Sequence, residues 1–166
     1  MRVQDSYSEF PVRAIVIMGV SGCGKSTIGK HLAELLGSAP FIDADSLHPA
    51  QNIEMMKNGQ PLSDRNRWFY REFLSRGDPE NACADRLTHD TVFVYVDVPK
   101  AELARRLQLR KNHFFNGALL DSQLETLEPP DVTREAALIV YGDGSEPEVA
   151  HDVYRQVCGY VTKNSL

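Results

Sequence analysis

Residues 19–27 have the types and spacing needed to hold the phosphates of a nucleotide. Their letters, GVSGCGKST, satisfy every fixed position of the pattern GxxxxGK[ST]. In such a loop the glycines let backbone N–H groups turn inward around a β-phosphate, Lys25 reaches the β- and γ-phosphate oxygens, and the Ser26 hydroxyl can bind Mg²⁺. The predicted ATP-binding residues are Gly19, Val20, Ser21, Gly22, Cys23, Gly24, Lys25, Ser26 and Thr27. A chance match in a Gly-containing turn is the alternative, but the apolar run before the loop and the helical pattern after it favour a nucleotide site.

A pair of carboxylates, Asp43 and Asp45, follows a short predicted strand. The carboxyl ends of strands line the ligand crevice of a doubly wound sheet, so this pair could hold Mg²⁺-bound water and orient an acceptor hydroxyl. The same residues could instead cap a helix or form a turn, since Asp favours both positions. The nearby His48 is more often a structural partner than a ligand. The spacing alone leaves these alternatives open.

A basic stretch, formed by Arg105, Arg106, Arg110 and Lys111, lies on a predicted helix and its exit. A solvated helix face is the simplest interpretation. Beside an ATP site, however, a basic segment can close over the phosphates and stabilise the charge being transferred. Residues four apart share a helix face, so Arg106 and Arg110 are expected to point the same way. The residues that follow, 112–117, are typical of a hinged tip.

Apolar runs alternate with amphipathic segments along the chain. The predicted strands are Ala14–Met18, 40–43, Thr91–Asp97 and Ala137–Tyr141. The predicted helices are 25–36, 49–58, 66–74, Lys100–Leu109, 118–126 and 147–161. Strands that alternate with helices predict an α/β fold with a mainly parallel sheet, arranged as the three-layer α/β/α sandwich of P-loop NTPases.

The composition fits one ordinary domain, residues 1–166, with 42% hydrophobic and 25% charged residues. A net charge of -5 argues against a nucleic-acid partner, which usually requires a basic patch. An apolar run of the roughly 20 residues needed to span a bilayer is missing, so no membrane partner is expected. The polar first 13 residues do not resemble a signal peptide, and the three cysteines are widely spaced. A cytoplasmic location is the simplest prediction.

Several segments in a fixed order resemble the bacterial-type gluconate kinases, which are small P-loop enzymes related to shikimate and adenylate kinases. The resemblance extends from residue 18 to residue 130 and begins with the phosphate loop itself. The other matching segments are 43–49 (DADSLHP), 52–56 (NIEMM), 59–65 (GQPLSDR), 106–107 with 110–115 (RL, RKNHFF) and 120–130 (LDSQLETLEPP). The DxDxxHP and SQxETLEPP segments are far more specific than the phosphate loop, which only indicates an NTPase.

This resemblance implies transfer of phosphate from ATP to D-gluconate, giving 6-phospho-D-gluconate, with Mg²⁺ as a second cofactor. It implies that Asp45 acts beside the acceptor hydroxyl, with Lys25 and Arg110 as the other catalytic residues, and that Ser26 and Asp43 lie near the metal. It also implies a mobile lid at about residues 106–117, which Gln123 and Glu125 would support. The substrate-binding residues implied are Asp45, His48, Arg65, His113 and Gln123. A homodimer is an open alternative to a monomer.

The chain departs from the family pattern in two places. Asn112 stands where such lids often have glycine, which predicts a stiffer hinge. More seriously, a family segment with a core strand and substrate-contacting residues is missing between Trp68 and Tyr70. Either the chain is truly shortened or the printed sequence omits residues. Omission is the favoured explanation, because loss of a central strand would leave unpaired backbone groups and an open core.

Two further functions stay open at this point. One is a kinase of another small metabolite, such as shikimate or a nucleoside monophosphate, although the DxDxxHP and SQxETLEPP segments argue against it. The other is a nucleotide-binding switch or a catalytically impaired regulatory module, which the missing segment would favour. A GTPase switch would require a base-reading NKxD-type motif, and the sequence has none.

Overall fold

A parallel sheet carries the phosphate loop. In the described residues it has three strands in the order β1-β2-β3. They are β1 (Ala14–Met18), β2 (Thr91–Asp97) and β3 (Ala137–Tyr141), with the bounds predicted from their apolar runs. Ile15 of β1 is paired with Val92, and Val94 of β2 is paired with Leu138. Parallel neighbours need long crossover connections, which places helices between them along the chain.

The computed structural model describes residue 12, residues 14–58, residue 60, residues 91–109 and residues 117–164. The predicted helix at 66–74 and the junctions between Trp68 and Tyr70 lie outside the described residues. So do Arg65, Arg110 and His113, together with most of the predicted lid.

Five α-helices and one short 3₁₀ helix are present in the described residues. The α-helices are α1 (Lys25–Leu35), α2 (Ala50–Lys57), α3 (Lys100–Leu109), α4 (Gly117–Thr126) and α5 (Glu146–Asn164). Their ends differ from the predicted ones by at most three residues. The 3₁₀ helix, Ala44–Leu47, occupies the segment that carries Asp45.

The predicted strand at 40–43 is wrong. Asp43 is extended, with φ -82° and ψ 116°, but no ladder forms at this segment in the described part of the chain. Pro40 lacks a backbone N–H and therefore cannot donate to a sheet. Instead, the ring of Phe41 packs on α1, where a Cβ at Gly29 would be 2.5 Å from Cε2 of the ring. The segment is thus fixed by contact with the helix rather than by strand pairing.

The core lies between β2 and the helices that pack on the sheet. Val92, Val94 and Val96 are at most 1% exposed, and Val153 and Val157 of α5 are fully buried with them. All residues of β1 are only half-buried, although the continuous apolar run predicted a buried strand. Among the described residues β2 pairs with a strand on each side, whereas β1 pairs only with β2. That difference in neighbours explains the difference in burial.

Candidate active site

The phosphate loop, residues 19–27, has the backbone form that its glycines permit. Gly19, Gly22 and Gly24 have φ values of +148°, +88° and +96°, which side-chain-bearing residues rarely adopt. A Cβ at Gly19 would lie 2.8 Å from Sγ of Cys23 and 3.0 Å from the carbonyl oxygen of Val96 in β2. The loop is therefore packed closely against the carboxyl end of the central strand, where ligands of open α/β sheets bind.

Helix α1 begins directly at the end of this loop. Its N-cap is Gly24, which has no side chain to accept hydrogen bonds from the first turn. The first intrahelical bond joins the N–H of Ile28 to the carbonyl of Gly24. The N–H groups before it have no partner within the helix, and the helix dipole makes this end positive. The arrangement is a ready anion site that suits the β-phosphate of a nucleotide.

Lys25 is folded back over the loop. Its ammonium donates to the carbonyl oxygens of Gly19 and Val20, each at 3.0 Å, and its Nζ lies 3.9 Å from Sγ of Cys23. The cation is thus held over the concave backbone of the loop and half-buried. Exchange of these two carbonyl partners for phosphate oxygens would require rotation of the lysine side chain and no change of the backbone.

Two side chains of β2, Tyr95 and Asp97, lie near Cys23 of the phosphate loop. Burial, the neighbouring Asp97 carboxylate and the nearby Cys23 raise the pKa of Tyr95, and its hydroxyl hydrogen-bonds to Asp97. Cys23 is completely buried in the same region. Because its pKa is raised, Tyr95 stays protonated at neutral pH.

Two helices that flank the predicted lid also contact the tip of the loop. The N–H of Ser21 donates to Oε1 of Gln123, in α4, at 2.8 Å. A Cβ at Gly22 would lie 3.0 Å from Cγ of Leu107, in α3. Gln123, predicted as a substrate ligand and lid support, therefore contacts the phosphate loop directly.

The acceptor segment, residues 43–48, is arranged as a capped turn. Oδ1 of Asp43 accepts from the N–H of Asp45 at 3.1 Å, and Asp43 is the N-cap of the 3₁₀ helix. The Ser46 hydroxyl donates to the carbonyl oxygen of Asp43 at 2.6 Å. Asp43 therefore has the helix-capping role that was one of the two alternatives open from the sequence. A capping carboxylate still has lone pairs for a metal, so the two roles are compatible.

Asp45 and His48 differ sharply in exposure. The Asp45 side chain is 82% exposed, whereas that of His48 is 5% exposed, with 4.0 Å between Asp45 Oδ1 and His48 Nε2. An exposed carboxylate beside a buried imidazole suits contact with an incoming ligand. In the described part of the chain, no hydrogen bond or ion pair joins Asp43 or Asp45 to the phosphate loop.

Three comparisons place the chain among known proteins. Residues 21–76 match the shikimate kinase family. A probable gluconokinase from Xenopus tropicalis is 38% identical, over 76% of this chain and 88% of the relative. A gluconokinase from Gluconobacter oxydans is 40% identical, over 71% of this chain and 76% of the relative. A crystal structure of a gluconokinase from Sinorhizobium meliloti superposes with a TM-score of 0.73 and 31% identity, covering 93% of each chain.

The chain belongs to the gluconokinase family. The family resemblance predicted from the sequence is confirmed, as is the α/β fold with a mainly parallel sheet. This gluconokinase-family protein is accordingly a phosphotransferase with the P-loop kinase fold, and its family membership implies the use of ATP.

Arg106 has a different environment from the one expected. It was predicted at the start of the lid, on the same helix face as Arg110. In the structure it lies within α3, donates to Glu102 Oε1 at 2.7 Å and donates to the carbonyl of Gly142 at 2.7 Å. It therefore joins α3 to the loop after β3. Arg105 is more exposed and forms a two-bond pair with Glu102.

Sequence reasoning missed three of these contacts, including the hydrogen bond from Ser21 to Gln123. Nothing in the spacing connects Leu107 to Gly22 or Arg106 to the carbonyl of Gly142, because each contact depends on how α3 packs. A weak signal exists for Leu107, since it continues the apolar face of Leu103 at helical spacing. Nothing in the sequence indicates that the Gly142 carbonyl accepts a hydrogen bond from Arg106.

The described residues contain no helix with the length and apolarity needed to cross a bilayer. They also contain no group of three or more His, Cys, Asp or Glu side chains that could hold a metal ion. A kinase Mg²⁺ does not need such a group, because phosphate oxygens and waters supply most of its ligands. Ser26 in the first turn of α1 and Asp43 are chemically suitable oxygen donors for it.

Proposed function

We propose that this protein transfers the γ-phosphate of ATP to D-gluconate and releases 6-phospho-D-gluconate. The observation that carries the proposal is the 38% identity to a probable gluconokinase across 88% of that relative's length. The preformed loop supports the ATP half of the reaction, since its backbone already has the form that a β-phosphate needs. The DxDxxHP and SQxETLEPP segments support gluconate as the acceptor.

The phosphates would be held by the N–H groups at the start of α1 and by Lys25. A bound Mg²⁺ would supply positive charge that offsets the negative charge of the phosphates. Ser26 and Asp43 would hold it, and the cap that Asp43 makes to Asp45 would fix the direction of its carboxylate. These assignments extend the family resemblance to two oxygen donors of this chain.

The acceptor hydroxyl would meet the exposed Asp45 carboxylate, which can align the hydroxyl and accept its proton. The nearly buried His48 would form a fixed surface beside the Asp45 carboxylate. Arg65, His113 and Gln123 are the other substrate contacts implied by the resemblance, and Arg110 would approach the phosphates from the lid. Arg65, Arg110 and His113 lie outside the described residues, so their roles rest on the resemblance alone.

A second function, nucleotide binding without efficient phosphotransfer, is supported by the length of the family alignments. The alignment with the Xenopus tropicalis relative extends over 169 residues but covers only 76% of this 166-residue chain. The relative therefore has about 40 residues in the aligned region without a counterpart here. This supports the proposal that a segment near residues 68–70 is missing. The half-exposed β1 strand fits the loss of a neighbouring strand.

The two functions are distinguished by ADP release from ATP with gluconate, shikimate, AMP or no acceptor. Release that depends on gluconate is the expected result. If ADP release depended on shikimate or AMP instead, that compound and not gluconate would be the acceptor. Binding of ATP with no turnover for any acceptor would favour the impaired module.

The missing segment has its own test. The intact mass of the protein from its native cells should be 18.6 kDa if the chain is truly shortened, and well above that value if the printed sequence omits residues. Cell fractionation and sedimentation would test the cytoplasmic location and the homodimer, which remain predictions.

A further inference from the structure

The hydrogen bond between Gln123 and Ser21 joins the phosphate loop to a helix 102 positions further along the chain. At 2.8 Å it is a well-formed bond, and a backbone N–H fixes the orientation of the amide because only Oε1 can accept. In the described residues, Gln123 is the one side chain from outside residues 19–27 that hydrogen-bonds to the backbone of the loop.

Gln123 is itself held firmly. Its helix, α4, buries Leu120 in the core at 3% exposure, and Leu124 and Leu127 pack against the same core. Asp121 of α4 also forms a 2.8 Å ion pair with Lys100 at the start of α3. The amide oxygen is thus presented from a fixed helix and not from a loose surface side chain.

Gln123 bonds to the N–H of Ser21 and not to the N–H groups at the start of α1. The donors expected to meet a β-phosphate include these N–H groups in the first turn of α1, beginning at Lys25. Ser21 lies before the helix, and its N–H is turned toward α4 instead. Gln123 can therefore stay bonded to Ser21 while a nucleotide is bound.

A loop with three glycines at positive φ has many backbone conformations open to it. Contact with Leu107 at Gly22 and a hydrogen bond to Gln123 at Ser21 restrict the tip from two helices. Restriction before binding reduces the entropy lost when the phosphates dock.

We propose that Gln123 is a positioning residue of the phosphate loop, which holds the Ser21 N–H so that the loop is preorganised for the β-phosphate of ATP. This role is on the nucleotide side and is an alternative to the sugar-acid contact that the family resemblance implies for Gln123. It rests on the kinase fold and does not depend on which acceptor is used.

The test compares Gln123→Met, which keeps the length but removes the acceptor, with Gln156→Met. Gln156 is also half-buried on a helix and hydrogen-bonds to Asp152, away from the loop. We expect Gln123→Met to weaken ADP binding, measured by calorimetry, between about twofold and tenfold, which is the range for one lost hydrogen bond. The KM for ATP should rise equally, the KM for gluconate should stay constant, and Gln156→Met should change none of these values.

Amide hydrogen exchange at Ser21 provides the second measurement, made without nucleotide. Exchange should be slow in the wild type, fast in Gln123→Met and slow again in Gln123→Glu, because a carboxylate oxygen restores the acceptor. Slow exchange in Gln123→Met would overturn the proposal. So would a raised KM for gluconate with unchanged ADP binding, or a lower Tm with both unchanged. ADP binding remains informative if gluconate is not a substrate, so the two proposals fail separately.

Discussion

The nucleotide side and the acceptor side of this site are built in different ways. The phosphate loop is formed by backbone, with three glycines at positive φ, and its partners are buried or half-buried. The acceptor segment, residues 43–48, presents side chains from a capped 3₁₀ turn, and its key carboxylate is 82% exposed. A backbone site is complete before the ligand arrives, whereas a side-chain site on a surface turn gains its geometry from what binds there.

This contrast follows from the tasks of the two sides. A phosphate chain is the same in every kinase of this fold, so a fixed cradle of N–H groups suits all of them. The names of the shikimate kinase family and of the gluconokinases point to different acceptors, and side chains on a turn can change without disturbing the fold. Mutations on the nucleotide side should therefore affect every activity of the protein, and those on the acceptor side should affect one.

The strongest test of the nucleotide side is Lys25→Ala. We expect turnover to fall by at least about 10²–10³-fold, because a preorganised cation opposite developing phosphate charge is lost. The far-ultraviolet circular dichroism should not change, since in the described residues the bonds of Lys25 are to atoms of its own loop. Lys30→Ala is the matched control on the exposed face of α1, where the ammonium lies 5.9 Å from the Phe41 ring centroid, and it should retain activity. Near-normal turnover in Lys25→Ala would refute the role.

On the acceptor side, Asp45→Asn should lower kcat by about 10²–10⁴-fold, the usual range for general-base assistance, with ATP affinity unchanged. Asp43→Asn is the informative partner, because Asn caps a helix as well as Asp and preserves the turn. That variant should instead raise the Mg²⁺ concentration needed for activity. If ATP binding collapsed in Asp45→Asn while kcat held, Asp45 would belong to the metal site and the division between the two sides would be wrong.

The lid prediction connects the two sides. Arg110→Ala should lower kcat by about 10²-fold, the effect of losing one group that stabilises transition-state charge. Arg105→Ala is the control, because Arg105 is exposed and already paired with Glu102. Equal and small effects of the two changes would show that the basic stretch is only a solvated helix face.

Sequence patterns predicted the strands and the phosphate loop because both depend on local order in the chain. A run such as residues 91–97 is expected to be buried, and the glycine pattern allows the positive φ values that the loop adopts. Contacts between Gln123 and Ser21, or Leu107 and Gly22, depend on how distant helices pack, which periodicity does not encode. The strand predicted at 40–43 failed for a related reason, since a strand requires a neighbour and not only suitable residues.

Arg106 offers a smaller test, directed at the packing of α3, the helix whose Leu107 contacts Gly22 of the phosphate loop. Arg106→Ala removes the bonds from α3 to the Gly142 carbonyl and to Glu102, so we expect the Tm to fall by several degrees. Arg105→Ala should leave the Tm almost unchanged, because an exposed ion pair contributes little. Thermal denaturation of both variants at neutral pH measures the difference. If Arg105→Ala lowered the Tm more than Arg106→Ala, the contact of Arg106 with the Gly142 carbonyl would not be a structural support.

The smallest effect concerns pH and Glu102, which accepts from both arginines. Hydrogen bonds from Arg105, then from Arg106, lower the pKa of Glu102 from 4.5 to about 2. A carboxyl whose pKa is lowered on folding stabilises the protein above its unfolded pKa, and this contribution is lost as the pH falls through its folded pKa. The Tm difference between wild type and Glu102→Gln should thus be constant from pH 9 to pH 5 and shrink between pH 4.5 and about 2. Glu128→Gln, at an exposed site after α4, is the control variant. If the Tm difference disappeared already near pH 6, the bonds of Glu102 to Arg105 and Arg106 would depend on another titrating group. The packing of α3 would then be sensitive to physiological pH.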